Sequence, residues 1–263
     1  MNAPQSVVQA VDAMPGTIGV EIRTPDWSLG RDGDRELSSA SVIKLFPLAA
    51  LIADAEAGRR SYDTPVTVSP VAHAGGMGVL RHMGDVPVRL TLWQLAVLMV
   101  VASDNTATNV VIDHVGIERI NAFAREVGAN RTRNERRMFD SEARQRGLDN
   151  ITTAADLCRL LAAVEDGRLG DAGRVRFRDV LAGQQHHHKL TAQWNRDERL
   201  RGRMGHKTGE LSDIEHDVLV YDAPAGPVFV AVLLADLTDP AAAQRAHGVL
   251  GRAVFDAVPP ADA

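Results

Sequence analysis

One cysteine, Cys158, is all that the 263-residue chain contains. A single thiol excludes an internal disulfide and a multi-cysteine metal site. It lies in the apolar helical pattern Ala154 to Leu161, where it reads as a small buried hydrophobe. Excess basic charge is also missing: the net charge is −5 and the pI near 6.0. A primary nucleic-acid role would show a basic face, so that class is disfavoured. Trp27, Trp93 and Trp194 are scattered and offer no stacking platform for bases. The most apolar runs, Leu45 to Ala53 and Leu95 to Ala102, are too short to cross a bilayer. Met1 to Gly16 has neither a basic start nor a long apolar stretch, so it does not read as a leader. The chain as written is therefore expected in the cytoplasm, and secreted or periplasmic if a leader precedes it.

What is present reads as one globular unit. Hydrophobic residues make up 45% and charged residues 24%, as in ordinary soluble proteins. A mass of 28.3 kDa suffices for one large domain or two intimately packed subdomains. Thr17 to Arg23 alternates as a half-buried strand, and the turn residues Asp26 to Asp34 lead towards a second. Ser41 to Glu56 reads as a helix that is apolar nearly all round, closed by Gly58, with Pro47 expected to distort it. Thr91-Leu-Trp-Gln94 is a capping box opening a helix over Leu92 to Ala102. Helices are also expected over Thr106 to Val115, Ile117 to Glu126 and Thr153 to Val164. Beyond Gly205, His216 to Asp222 and Pro227 to Asp236 read as a hairpin, and Pro240 to Val258 as a closing amphipathic helix. Strands at both ends with helices between predict an α+β fold in a single domain, 1–263. The N- and C-terminal strands (about 1–38 and 205–263) would form one antiparallel sheet flanked by helices, beside a helical lobe (about 39–204).

Three short motifs carry the chemistry. Ser41-Val42-Ile43-Lys44 puts a hydroxyl and an amine three residues apart, on one face of a helix. A serine hydroxyl is a poor nucleophile without a base in reach. Lys44 can be that base only when neutral, which burial and a like charge nearby would favour. Ser103-Asp104-Asn105 sits between two helices, in a loop able to project into a cleft. Asp104 there is suited to accepting backbone hydrogen bonds that hold the loop. In Lys207-Thr208-Gly209 the first two residues can bind a carboxylate, and the glycine lets a substrate lie against the strand. Alone, each motif is weak evidence.

All three in this order resemble the signature of class A β-lactamases and penicillin-binding proteins. The resemblance runs from about Ser38 past Lys207, and Thr106-Ala-Thr-Asn109 matches too. It implies a serine hydrolase that acts on an amide or ester, foremost a β-lactam, through an acyl-enzyme on Ser41. It also implies a proton relay to the leaving group at Ser103, an amide that orients substrate at Asn105, and an oxyanion hole from the N–H groups of Ser41 and Glu210. The Glu210 carboxylate beside the cleft is unusual and would disfavour some anionic substrates. Class A enzymes carry a glutamate that activates the deacylating water, with an asparagine four residues on. In Arg133 to Arg144 no such pair occurs, and the expected glutamate falls at Met138. Glu142, or else Asp140, is the nearest carboxylate able to substitute. No arginine follows Lys207 to help grip a carboxylate, and only His216 is near. The wording Gly78 to Arg81 and Asp149 to Thr153 resembles the branch often called simply serine hydrolase.

The resemblance leaves open a D,D-peptidase, esterase or transacylase, and a penicillin-binding sensor that acylates without efficient turnover. A small-molecule substrate, a monomer, and no metal or cofactor are expected. His186-His187-His188 is expected to be a solvent-exposed stretch, since consecutive side chains diverge and cannot easily meet on one ion. The arginines from Arg131 to Arg146 read as a salt-bridged loop, with Arg136 pairing Asp149. The motif reading predicts that a β-lactam or acyl-activated probe modifies Ser41 alone. Intact mass and peptide mapping check this, and equal labelling of Ser41→Ala would remove the nucleophile assignment.

Overall fold

A computed structural model describes residues 1–194 and 204–259. Five strands form an antiparallel sheet in the order β2-β1-β9-β8-β7. They are β1 (Thr17–Arg23), β2 (Ser28–Arg31), β7 (Met204–Leu211), β8 (Ile214–Ala223) and β9 (Gly226–Ala235). The expected α+β architecture is therefore present, with N- and C-terminal strands in one sheet. The second strand starts earlier than the turn residues suggested, at Ser28. Two short pairs complete the strands: β3 (Leu37–Ser38) with β6 (Ile151–Thr152), and β4 (Pro65–Val68) with β5 (Val88–Thr91).

Both faces of the sheet are covered, which is why Val218 to Tyr221 of β8 and Val228 to Ala235 of β9 read as continuous apolar runs. Along β8, Leu219 and Tyr221 point to one side, against α1 (Gln5–Asp12) and α9 (Pro240–Ala257). Val218 and Val220 point to the other, into the larger core built with the central helices. These helices are α2 (Leu45–Glu56), α3 (Leu92–Val101), α4 (Asn105–Val115), α5 (Ile117–Glu126), the short α6 (Ser141–Gln145), α7 (Ala154–Glu165) and α8 (Gly170–Ala182). Thr91 and Gln94 form the capping box at the start of α3, as their spacing predicts. Cys158 is fully buried on α7, and burial pushes its thiol far above the ordinary range.

The segment Ser41 to Glu56 departs from one continuous α-helix. Ala40–Lys44 is a 3-10 turn and the α-helix begins only at Leu45. Pro47 is then the third residue of α2, within the first turn, where a missing N–H costs no helical hydrogen bond. The proline thus sets the start of the helix instead of bending it.

Helix α9 also holds the chain that precedes β7 in the sequence. A Cβ added at Gly251 would lie 1.9 Å from the Leu190 carbonyl oxygen, so backbone meets backbone there. Gly251→Ala is expected to destabilise the protein by about 1–3 kcal/mol through overpacking, measured by urea denaturation. An unchanged midpoint would show that this contact does not hold the segment.

Candidate active site

The turn bearing Ser41 is fixed from behind. The Ser39 N–H and hydroxyl both donate to the Asn150 carbonyl, at 2.8 and 2.9 Å. Because Ala40–Lys44 is a 3-10 turn, residues three apart eclipse, so Ser41 and Lys44 share a side more closely than in an α-helix. Ser41, Met77, Ser103, His186, Thr208 and Glu210 line a narrow pocket of about 20 Å³.

Beneath it lie two buried amines joined by one hydroxyl. Lys44 Nζ is 2.7 Å from the Ser103 carbonyl oxygen, 2.8 Å from Asn105 Oδ1 and 3.1 Å from Ser103 Oγ. Lys207 Nζ donates to the Thr208 carbonyl at 2.7 Å and to the same Ser103 Oγ at 3.1 Å. The carbonyl and amide oxygens can only accept, whereas a hydroxyl can donate to a lone pair. Lys44 can therefore sit in this arrangement as a neutral amine. Burial, then the Lys207 charge, lower its pKa well below the ordinary lysine value, against an opposing pull from Asp104. Burial and Lys189 likewise lower Lys207, to about 7. Neither amine meets a carboxylate.

The loop carrying Ser103 is held as its motif suggests. Asp104 caps α4 through Ala107 N–H and accepts from the N–H groups of Val79 and Leu80. Asn105 is nearly inaccessible, and both ends of its amide are engaged, Nδ2 with the Gly75 carbonyl and Oδ1 with Lys44. In this structure Asn105 accepts from Lys44 and donates one amide N–H to Gly75. Ser103 has φ +51° and Ala40 has φ +43°, left-handed conformations that cost a non-glycine residue roughly 1–3 kcal/mol each. Strain thus flanks Ser41 on both sides.

Strand β7 closes the other side. A Cβ on Gly209 would lie 3.1 Å from the backbone nitrogens of Ser41 and Val42, so a side chain there would push strand and turn apart by a few tenths of an ångström. Behind the strand, Lys189 Nζ bonds the carbonyls of Gly209 and His216, each at 3.1 Å. It also pairs with Glu215 at 2.6 Å and Glu210 at 3.2 Å. His188 Nε2 lies 3.0 Å from Glu210, and this contact, with Lys189, holds the Glu210 carboxyl down to about 2 against desolvation. His188, Glu210 and Glu215 have the donor atoms of a metal site within 4.8 Å of one another. The Lys189 amine already sits among them as their cation.

Two expectations about histidine change. His216 is buried and turned away from the pocket, its Nε2 against the Ser38 carbonyl and its Nδ1 accepting from Leu234 N–H. It is not available to a carboxylate in the cleft. His188 is exposed, as expected of a solvated stretch, whereas His186 and His187 are half-buried. His186 lines the pocket, His187 meets His206 Nε2 at 3.2 Å, and His188 meets Glu210. Consecutive side chains do diverge, as expected, but onto three different partners along one strand.

A second cavity, of about 160 Å³, lies beside the Ser41 turn. Ser39, Ala40, Met138, Phe139, Asp140 and Leu211 are among the residues lining it. The loop beneath is firmly tied: Asn109 brackets the Met138 backbone, Asn150 binds Glu135, Arg136 and Ser39, and Arg136 pairs with Asp149 as expected. Met138 is among the residues that line this cavity, and it also belongs to the main hydrophobic core. Asp140 lines it but caps α6 through Ala143 N–H. Glu142 is exposed in α6 and lines neither cavity. The motif reading thus brings Ser41, Lys44, Ser103, Asn105, Lys207, Thr208, Gly209 and Glu210 together, and Glu142 stands apart. It missed Lys189, His186 and His188. One signal was present: Lys44, Lys189 and Lys207 are the only lysines in the chain.

A sequence model described as the β-lactamase enzyme family matches residues 3–258. No curated protein matches the chain. Among solved structures, a β-lactamase from Sphaerobacter thermophilus is 30% identical with a TM-score of 0.88, over 97% of this chain and 98% of that one. PBP-A is 24% identical with a TM-score of 0.83, over 98% and 97%. An ancestral class A β-lactamase is 24% identical with a TM-score of 0.82, over 96% and 98%.

A pKa near 7 makes Lys207 a cation below neutrality and an amine above it. In Ser41→Ala, the dissociation constant of benzylpenicillin is expected to weaken roughly tenfold from pH 6 to pH 8, as the charge facing its carboxylate is lost. Lys207→Arg stays charged and should flatten the profile. Calorimetric titration at each pH checks both, and a flat profile in Ser41→Ala with Lys207 intact would remove Lys207 from anion binding.

Proposed function

The chain belongs to the β-lactamase enzyme family, and from that premise we propose an acyl-enzyme route on Ser41 with a β-lactam as substrate. It is a serine hydrolase of that family acting on a small molecule. The observation that carries the mechanism is the Ser103 hydroxyl, 3.1 Å from each of two buried amines under the pocket that Ser41 lines.

Ser41 Oγ attacks the lactam carbonyl carbon while Lys44, as the neutral amine, takes its proton. The N–H groups of Ser41 and Glu210 receive the oxyanion, a role supported by the close packing of Gly209 on the Ser41 turn. As the C–N bond breaks, Ser103 passes a proton to the leaving nitrogen and is resupplied by Lys44. Thr208 on the pocket wall and Lys207 beneath it hold the substrate carboxylate. A Ser41 ester remains, to be released by water.

That release is the weak step. The cavity beside Ser41 presents Met138 where the family's resemblance places a glutamate, and Asp140 is engaged at a helix cap. PBP-A, of the same fold, has been captured in a variant as an acyl-enzyme complex with penicillin G. The apolar Met138 favours, as the second reading, a penicillin-binding or transacylase-type protein that acylates well and hydrolyses slowly.

With a chromogenic cephalosporin, a burst of one equivalent followed by slow turnover is expected. Met138→Glu should speed the slow phase by about 10²–10⁴-fold, the worth of a positioned general base, and leave the burst intact. Glu142→Gln should change neither phase. A steady state without a burst would overturn slow deacylation, and trapping by Glu142→Gln would assign the base to Glu142.

A further inference from the structure

Glu210 gives the pocket a negative wall beside its positive floor. Thr208 and Glu210 are two apart on β7, so their side chains share one face of the strand and both line the pocket with Ser41 and Ser103. Ser103 is the proposed donor to the leaving nitrogen, so this wall faces the leaving-group side of the scissile bond. The Glu210 side chain remains about one-third exposed, open to a bound molecule.

Among the described residues, Lys189 is the only cationic partner of Glu210 that does not depend on protonation of an imidazole, and Lys189 is shared with Glu215 at the shorter distance, 2.6 against 3.2 Å. Two carboxylates therefore divide one ammonium. His188 is charged only when protonated. Of the two carboxylates that share this lysine, Glu210 is the one on the pocket wall. Lys207 and Thr208 can accept one carboxylate on this side, but a second anion would meet Glu210.

We propose that Glu210 is a specificity-determining residue, which selects substrates carrying a cationic substituent on the ring that bears the leaving nitrogen and disfavours an anionic one there. The preferred substrate is then zwitterionic on that side, its carboxylate towards Thr208 and Lys207 and its cation towards Glu210. This rests on the acyl-enzyme reading given above.

The test uses two cephalosporins with the same acyl side chain, one with a pyridiniummethyl and one with an acetoxymethyl group at C3. Acylation rates of Ser41 are followed by stopped-flow absorbance and intact mass. Each is divided by the compound's alkaline hydrolysis rate, which removes its intrinsic reactivity. The normalised preference for the cation is expected to be about tenfold, the scale of one partly screened charge pair. It should approach unity in Glu210→Gln, and in the unaltered protein it should shrink between about 0.01 and 1 M salt. Equal normalised rates in the unaltered protein, or a preference that survives Glu210→Gln and salt, would overturn the proposal. Absence of acylation by both compounds would instead overturn the acyl-enzyme reading. The ratio of their dissociation constants in Ser41→Ala would then still decide whether Glu210 selects the cation.

Discussion

Withdrawing a lysine amine from water is costly unless oxygen atoms replace the solvent, and the chain does this with all three of its lysines around one strand. The partners differ, and that difference separates three chemically identical groups. Lys189 meets two carboxylates and two carbonyls, so it serves as a fixed ion-paired support. Lys44 and Lys207 meet only neutral oxygens, so burial lowers both, and the Lys207 charge lowers Lys44 further. The Lys189 charge adds to the effect on Lys207. A base and a titratable anion-binding group thus follow from withholding carboxylates, with no unusual residue required.

The strand carrying two of these contacts is located from both sides. In front, the absence of a Cβ at Gly209 admits the backbone of the Ser41 turn. Behind, Lys189 holds the carbonyl of that same glycine. Among the described residues, β7 is at the edge of the sheet, with a neighbouring strand on one side only. Left-handed backbone at Ala40, Ser103 and Phe139 is tolerated where these constraints meet, beside one cavity or the other.

Much of this was legible in the sequence, for identifiable reasons. Lys44, Ser103 and Lys207 are far apart in the chain, yet each stands in a short motif whose chemistry is local. The buried runs of β8 and β9 and the capping box of α3 are likewise local signals. Helix α8 was not read, because Arg174, Arg176 and Arg178 interrupt its apolar pattern while Phe177, Val180 and Leu181 bury. The 3-10 turn was missed because its apolar residues continue into α2 without a break. The histidines at 186–188 have no local pattern at all. Their placement is decided by partners on β7, which a one-dimensional reading cannot supply.

The two halves of the proposed reaction rest on different supports. Acylation depends on buried amines whose positions are fixed by several hydrogen bonds each, so it should resist substitution elsewhere. Deacylation depends on what a single loop presents to the cavity beside Ser41. That loop is held through its backbone, by Asn109 at Met138 and by Asn150 at Glu135 and Arg136. None of these bonds involves the Met138 side chain. The backbone bonds that hold the loop therefore do not depend on the residue at that position, and a chain of this fold can shift between holding an acyl group and releasing it through one side chain.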